Sequence, residues 1–178
     1  MCAGYHPERL LGLGEALKSY DLSALNILVL EKHLLVRRIL TDVFSEFGVA
    51  NVYSTPEIYE AFKYFNEMQP DIILCDWTPD LDGIEFIRKV RTSDDSPNPY
   101  VPIVVVTANT ELYHVCIARD NGMTEFLAKP VSAQTIYSRL CSVIENPRPF
   151  VRVGDFFGPD RRRRKAEFLK HRERRKAM

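Results

Sequence analysis

Residues 72–83 are IILCDWTPDLDG: four apolar residues, then a carboxylate, then a group of turn-forming residues. A short apolar run that ends in polar, proline and glycine residues predicts a strand buried on both faces, as in a parallel sheet. Asp76 then lies at the carboxyl end of that strand, which is where open α/β sheets bind their ligands. The sequence therefore marks Asp76 as a candidate functional carboxylate.

Three other short apolar runs also end in side chains that can carry chemistry. The residues at those ends are, in chain order, Glu31 with Lys32, Thr107, and Lys129. The carboxyl ends of parallel strands share one edge of a sheet, so we expect these groups to lie near Asp76. Carboxylates, a hydroxyl and an ammonium in one cleft are suited to holding a phosphoryl group.

Helical patterns separate the apolar runs. Residues 35–47 place apolar side chains at every fourth position, and Gly48 is a suitable residue to follow that helix. A second strand is predicted at 52–53, Thr55 is predicted as the N-cap of a helix that starts at Pro56, and Ser132 is predicted as the N-cap of the last helix. Five strands alternating with five helices predict a parallel sheet covered on both faces.

The order and spacing of the four strand-end motifs, from Asn26 to Glu145, resemble the receiver domain of bacterial two-component response regulators. The resemblance implies an α/β, doubly wound, five-stranded parallel sheet of the flavodoxin-like or CheY-like kind. It also supplies the strand order 2-1-3-4-5, which periodicity alone does not give. Glu31 and Asp76 are then expected to be neighbours at the switch point of the sheet.

The resemblance also implies a role for each matching residue. Asp76 matches the phospho-acceptor and Thr107 the switch hydroxyl that donates to a phosphoryl oxygen. Lys129 matches the lysine that pairs with the phosphoryl charge, in a Lys129–Pro130 peptide that is usually cis in this family. Phe126 matches the switch aromatic, and a strand residue packed in the core is the alternative for it.

One position departs from the family. Receivers have two acidic residues after the first strand, whereas this chain has Glu31 followed by Lys32. The resemblance implies a Mg²⁺ site at Glu31, Asp76 and Thr78. Because an ammonium replaces an oxygen ligand, we predict weak or absent Mg²⁺ binding. His33 is expected to be the exposed first residue of a helix rather than a metal ligand.

The function implied is that of a single-domain response regulator in a phosphorelay. Asp76 would accept a phosphoryl group from a histidine kinase or phosphotransfer protein, and the chain would act on an unidentified downstream protein through the face from Leu112 to Leu140. The same face could form a homodimer. We do not expect an enzyme. The alternative is a pseudo-receiver, a phosphorylation-independent interaction module, which Lys32 favours.

Charge divides the chain unevenly. Residues 1–146 hold 12 Lys and Arg against 20 Asp and Glu, a net charge of −8, whereas residues 147–178 hold 12 against 4, a net charge of +8. We predict an N-terminal extension (1–25), a receiver domain (26–146) and a basic C-terminal tail (147–178). The tail could be a solvated extension, could dock on a partner or, with least weight, could contact nucleic acid without sequence specificity.

Composition limits the remaining classes. No apolar stretch approaches the ~18 residues that would indicate a membrane span, and the N-terminus lacks the features of a signal peptide. The four cysteines are scattered, without a C-x-x-C pair, and are expected to be free thiols. We therefore expect a cytoplasmic protein that does not associate with membranes.

Overall fold

The computed structural model of the chain describes residues 20–78 and 81–162. Between residues 26 and 145, five strands alternate with five helices, as predicted. The strands are β1 (Asn26–Leu30), β2 (Asn51–Thr55), β3 (Ile72–Cys75), β4 (Ile103–Thr107) and β5 (Glu125–Ala128). The helices are α1 (Leu34–Glu46), α2 (Ile58–Met68), α3 (Gly83–Thr92), α4 (Leu112–Asp120) and α5 (Ala133–Glu145).

The five strands form one parallel sheet in the order β2-β1-β3-β4-β5. Leu30 at the end of β1 pairs in register with Cys75 at the end of β3. The residues that follow these two, Glu31 and Asp76, are therefore neighbours. The predicted fold class and strand order are confirmed.

Alternate residues of each strand supply the two cores. Leu28 and Leu30 of β1 pack on one face of the sheet, in a cluster with residues of α2 and α3. Ile27 and Val29 pack on the other face, with residues of α1 and α5. The period-two alternation of a strand buried on both sides accounts for this division. The buried residues of α1 are Leu40 and Phe44, one position along from the predicted fourfold series. Leu35 and Ile39 of that series are 72% and 45% exposed, because the face that α1 turns to the sheet is rotated from the predicted one.

Of the three residues predicted to cap or follow helices, one prediction is wrong and two are confirmed. Thr55 is not the N-cap of α2: it is the last residue of β2, and its hydroxyl accepts a hydrogen bond from the backbone N–H of the N-cap, Glu57. The prediction failed because β2 pairs with β1 as far as Thr55. Ser132 caps α5 in a reciprocal capping box with Thr135, and Gly48 follows α1 with a φ of +80°.

A hairpin that was not predicted follows α5. Its strands, β6 (Phe150–Val153) and β7 (Phe156–Pro159), are antiparallel and are joined through Gly154 and Asp155. Phe157 is buried, and the rings of Phe150 and Phe157 each lie edge-on to Tyr100. Residues 150–159 are therefore packed against the domain by an aromatic cluster.

Arg91, at the end of α3, holds the loops beneath this hairpin. Only 2% of the residue is exposed, and its guanidinium donates to the carbonyl oxygens of Pro99, Val101 and Gly122 at 2.7–2.9 Å. The guanidinium also lies 5.1 Å from the centre of the Phe150 ring. The α3–β4 and α4–β5 connections and the hairpin therefore meet at one buried cation, at the amino-end edge of the sheet.

Two glycines allow the hairpin to approach this closely. A Cβ atom on Gly158 would lie 2.7 Å from the Cα of Gly122, closer than real side chains come to a neighbour. Gly122 itself has a φ of +99°, which side-chain-bearing residues rarely adopt. An Arg161–Asp120 ion pair at 3.0 Å and an Arg148 hydrogen bond to the Thr124 carbonyl oxygen add two more links.

No helix within the two described ranges is long and apolar enough to span a lipid bilayer. Residues 1–19 and 163–178, which hold most of the predicted extension and of the basic run, lie outside the described residues. The last part of the extension packs on the domain, because Leu22 is buried and the Tyr20 backbone N–H donates to the Tyr137 hydroxyl at 3.1 Å.

Candidate functional site

The carboxyl-end edge of the sheet gathers the charged residues that the sequence singled out. Glu31 follows β1 and Asp76 follows β3, and both are 1% exposed. The ammonium of Lys129, after β5, lies 2.6 Å from Glu31 Oε2 and 2.9 Å from Asp76 Oδ2. One cation therefore bridges two buried carboxylates, which compensates much of their desolvation cost.

Asp76 is held by the sheet and by its own loop. Its backbone N–H donates to the Leu30 carbonyl oxygen at 2.8 Å, and its Oδ1 accepts from the Trp77 backbone N–H at 2.8 Å. Asp76 Oδ2 accepts no hydrogen bond of good geometry from the described residues, although it forms the ion pair with Lys129. One oxygen is thus oriented by the backbone, while the other faces the cation.

The pKa of the Asp76 carboxyl is raised above its ordinary value of 3.8. Burial is the largest cause, and the Glu31 carboxylate adds to it. The Lys129 ammonium and the Trp77 N–H act in the opposite direction without cancelling the effect. The buried cleft therefore makes Asp76 a stronger base than an exposed aspartate.

Thr107 closes the cleft at the end of β4. Its buried hydroxyl donates to the Trp77 carbonyl oxygen at 2.6 Å and accepts from the Asn109 backbone N–H at 3.2 Å. The Lys129 backbone N–H donates to the Thr107 carbonyl oxygen at 2.9 Å, which ties the two strand ends together. The Lys129–Pro130 peptide is cis, as the resemblance implied.

The other predicted residues lie around this centre. Lys32 is exposed and lines a surface groove of about 220 Å³ that also involves Glu57 and Asp82. Thr78 pairs its backbone with Leu81, and its buried Oγ1 has no hydrogen-bond partner in the described part of the chain. Phe126 is half-buried and packs against the cluster on the Leu28 side of the sheet.

Gly83, seven residues after Asp76, brings the start of α3 against the cleft. A Cβ atom there would lie 2.2 Å from the Asp76 carbonyl oxygen and 2.9 Å from the Cys75 sulfur. No side chain fits in that space. The glycine in the opening stretch of sequence is therefore explained by contact with the backbone of the candidate acceptor.

Three side chains in the cleft could hold a divalent cation. Glu31, His33 and Asp76 each offer one ligand atom, and these atoms lie within 4.8 Å of one another. His33 is the N-cap of α1 with its side chain 66% exposed, so its predicted place at the helix start is confirmed, but its position beside Glu31 was not anticipated. The sequence feature that could have indicated this contact is the position of His33, two residues after Glu31 and directly before a predicted helix.

Comparison with known proteins gives the family. A sequence profile described as the response regulator receiver domain matches residues 27–141, which is more than half of the chain. The chain belongs to the response regulator receiver family. The resemblance drawn from the four strand-end motifs is thereby confirmed.

Relatives of this receiver include chemotaxis proteins. The chain is 24% identical over 122 residues to CheY of Pseudomonas aeruginosa, an alignment that covers 68% of this chain and 97% of CheY. It is 21% identical over 122 residues to CheY-3 of Vibrio cholerae, covering 68% of this chain and 92% of the relative. Each alignment leaves about a third of the present chain outside the match.

Solved structures show the same fold. CheY4 of Vibrio cholerae superposes with a TM-score of 0.61 at 22% identity, covering 67% of this chain and 98% of that one. The receiver domain of the sensor histidine kinase PA1611 from Pseudomonas aeruginosa has a TM-score of 0.60 at 24% identity, covering 68% and 98%. That receiver was crystallised with a magnesium ion coordinated in its active-site cleft.

Proposed function

We propose that this receiver accepts a phosphoryl group on Asp76 from a phosphohistidine of a histidine kinase or phosphotransfer protein. A carboxylate oxygen of Asp76 would attack the phosphorus, the phosphorus–nitrogen bond would break, and the imidazole would leave as an acyl phosphate forms. The observation that carries the proposal is the Lys129 ammonium 2.9 Å from Asp76 Oδ2, a positive charge where phosphoryl oxygens would arrive.

The surrounding groups support this role. The Thr107 hydroxyl lies beside the acceptor loop and has one proton, which it now donates to the Trp77 carbonyl oxygen. A phosphoryl group adds roughly −1.5 to −2 charges at neutral pH, enough to compete for that proton and for the Lys129 ammonium. Movement of Thr107 and Phe126 would then alter the surface from Leu112 to Leu140.

A divalent cation fits the donor set of two buried carboxylates and one imidazole. When bound, it supplies a positive charge that neutralises phosphoryl oxygens. Glu31, His33 and Asp76 would hold the cation. Thr78, two residues after Asp76, is the further ligand that the resemblance implies. Because Lys32 stands in place of an acid, we keep the prediction that Mg²⁺ binds weakly and that phosphotransfer is slow or independent of Mg²⁺.

Signalling would follow through protein contact. Leu112 and Tyr113 are 78% and 70% exposed at the start of α4, within the face expected to bind a downstream protein or a second copy of the chain. The basic tail beyond residue 162 is a further candidate contact, for a protein or, with less support, for nucleic acid. Residues 163–178 lie outside the described residues, so the role of the tail stays a prediction.

A pseudo-receiver is the second candidate, and Lys32 in place of an acid favours it. Lys129 already neutralises much of the charge of the Glu31 and Asp76 pair without any added cation. A cleft whose charges are already compensated can be stable in a single conformation without a phosphoryl group. The chain would then act as an interaction module whose surface does not depend on phosphorylation.

Phosphorylation by acetyl phosphate or phosphoramidate, followed by intact mass with and without Mg²⁺, distinguishes the two. We expect the wild type and the exposed-loop control Asp94→Asn to gain one phosphoryl group, and Asp76→Asn to gain none. A gain only in Lys32→Asp would support the pseudo-receiver. A gain in Asp76→Asn equal to that of the wild type would overturn Asp76 as the acceptor.

A further inference from the structure

His33 adds a nitrogen ligand to a cleft whose other metal-binding groups are oxygens. We infer that Glu31, His33 and Asp76 form a site that prefers a first-row transition-metal ion, of the kind that imidazole binds, over Mg²⁺. The inference rests on the proposed function for the choice of this cleft. It needs no phosphoryl transfer, however, so that either proposal can fail alone.

The fold brings the three residues together from two strand ends and one helix start. Glu31 and Asp76 are adjacent because β1 and β3 pair in register up to Leu30 and Cys75. His33 is the N-cap of α1, and its backbone N–H donates to Glu31 Oε1 at 2.8 Å. The two carboxylates are buried, and the exposed imidazole of His33 contacts Glu31.

The distances suit a metal ion that binds nitrogen and oxygen. His33 Nδ1 lies 3.3 Å from Glu31 Oε1. Two ligands of a tetrahedral ion with bonds of about 2.0–2.1 Å are separated by roughly 3.3 Å. The Asp76 ligand atom lies within 4.8 Å of the other two, so a modest side-chain rotation would complete a set of three protein ligands with an open position.

The neighbouring groups orient these ligand atoms. Glu31 Oε2 is bound by Lys129 at 2.6 Å, which orients Glu31 Oε1 towards His33. Asp76 Oδ1 is bound by the Trp77 N–H, whereas the buried Oδ2 accepts no well-aligned hydrogen bond from the described residues. The Lys129 ammonium lies 2.9 Å from that oxygen, so a metal ion bound there would share Asp76 with the lysine.

The choice of metal follows from the ligand types. Mg²⁺ prefers oxygen ligands and gives up its water reluctantly, whereas imidazole suits Zn²⁺, Ni²⁺ and Cu²⁺. In this chain Lys32 occupies a position where an acid would favour Mg²⁺, and the imidazole of His33 stands next to it. The positive charge of Lys129 beside both carboxylates weakens the binding of every metal cation. It does not, however, weaken the binding of one metal ion more than that of another with the same charge.

Co²⁺ is the appropriate probe because its visible absorption reports the ligand set. The metal-free full chain is titrated with Co²⁺ and separately with Mg²⁺, without a phosphoryl donor. Binding is followed by Co²⁺ absorption, by calorimetry and by the fluorescence of Trp77, the single tryptophan, which paramagnetic Co²⁺ quenches. Zn²⁺ competition against bound Co²⁺ measures the affinity of the ion that imidazole favours.

We expect one Co²⁺ per chain, bound at least about tenfold more tightly than Mg²⁺, as an imidazole ligand implies. His33→Asn removes the imidazole and keeps a residue that caps helices well, so the fold should be retained. That variant should lose roughly 10- to 100-fold in Co²⁺ affinity while its Mg²⁺ affinity changes little. Asp76→Asn should also weaken Co²⁺.

The matched control is His114→Gln, because the His114 ring lies 5.2 Å from the Trp77 ring and could place a metal near the same fluorophore. His114→Gln should bind Co²⁺ as the wild type does. The inference is overturned if Mg²⁺ binds as tightly as Co²⁺, if His33→Asn binds Co²⁺ unchanged, or if quenching disappears in His114→Gln instead.

Discussion

The Thr107 hydroxyl donates a 2.6 Å hydrogen bond to the carbonyl oxygen of Trp77, the residue directly after Asp76. A hydroxyl has a single proton, so this bond must break before Thr107 can donate to a phosphoryl group. Thr107→Val should therefore uncouple Trp77 from Asp76, whereas Thr107→Ser should not. We expect phosphorylation to change Trp77 fluorescence in the wild type and in Thr107→Ser, and to leave it nearly unchanged in Thr107→Val.

Thr107→Val should also lower the stability of the unphosphorylated protein. Thr107→Val leaves the Trp77 carbonyl oxygen without this donor and should lower the free energy of unfolding by about 1 kcal/mol, the usual value of one hydrogen bond. Urea unfolding measures it. A Thr107→Val variant that keeps the full fluorescence response would exclude Thr107 as the link.

Removal of the bridging cation should destabilise the fold severely. Lys129→Met leaves Glu31 and Asp76 buried and unpaired, which typically costs about 3–5 kcal/mol. Lys63→Met, an exposed lysine on α2, is the control and should unfold at nearly the wild-type urea concentration. Because protonation neutralises the two carboxyls, the deficit of Lys129→Met should shrink as the pH is lowered. Equal stability of both variants at pH 7 would contradict this account.

The raised pKa of Asp76 makes stability depend on pH. An acid whose pKa is raised on folding contributes relative stability at a pH below its unfolded value near 3.8, and this contribution is lost as the pH rises through the folded pKa. Asp76→Asn should therefore be more stable than the wild type at pH 7 to 8, because it buries no charge. The difference should disappear as the pH falls through the raised pKa.

Chemical unfolding between pH 4 and pH 8 measures this dependence. Asp94→Asn, an exposed carboxyl in the α3–β4 connection, should track the wild type across the range. A stability advantage of Asp76→Asn that grows as the pH falls would have the wrong sign for a raised pKa.

Arg91 should be irreplaceable by lysine. Its guanidinium satisfies three carbonyl oxygens at once, and an ammonium on a shorter stem cannot match that planar fork. Arg91→Lys should lower the free energy of unfolding by about 2–4 kcal/mol, since at least one buried carbonyl loses its donor. Arg88→Lys, one turn earlier and exposed, is the control and should change stability by less than ~0.5 kcal/mol.

Two glycines of the hairpin should respond to alanine for different reasons. Gly158→Ala adds a Cβ atom 2.7 Å from the Gly122 Cα and should cost about 1–3 kcal/mol by overpacking. Gly154 has a φ of +57° but open space around it, so Gly154→Ala should cost only the ~1 kcal/mol of a left-handed residue.

Limited proteolysis separates the two effects. Cleavage between residues 147 and 162 should accelerate in Gly158→Ala, because the hairpin leaves the domain, and should remain slow in Gly154→Ala. Equal acceleration in both variants would mean that the close backbone approach does not hold the hairpin.

Most of the fold could be predicted from sequence because its signals are local. Apolar runs ending in a single polar residue located β1, β3, β4 and β5, and fourfold spacing located α1. The strand order needed the resemblance to receivers, since parallel neighbours are distant in sequence. Thr55 was misassigned because pairing between β1 and β2 extends through a residue that is also a good helix cap.

The site was predictable as a set of positions but not as a set of contacts. Residue spacing placed Asp76, Thr107 and Lys129 at one edge, yet it could not show that Lys129 bridges both carboxylates or that Lys32 lies in an exposed groove. The place of His33 at the start of α1 was predicted, whereas the contact of its ring with Glu31 was not, because that contact depends on the geometry of one short loop. Arg91 gave no signal, since arginine is rarely buried and its partners are backbone oxygens.

The hairpin did carry a signal that could have been recognised. Two short β-prone runs flank Gly154 and Asp155, a pattern typical of a tight turn between antiparallel strands. Those runs were predicted only as part of the basic C-terminal tail. Alternation over four residues is too short to be decisive without the partner loops that cover it.

The docked hairpin determines where residues 160–162 lie on this receiver. Arg161 pairs with Asp120, so the last described residues lie at the amino-end edge of the sheet, opposite Asp76. A fusion partner or affinity tag attached directly after residue 162 would lie at that edge of the sheet. It would therefore leave the Asp76 cleft open to a kinase. A junction placed at residue 146 would instead strip Phe150 from Arg91 and expose that buried cation to water. For chimera design, we expect the transferable unit to run through the hairpin rather than to stop at the end of α5.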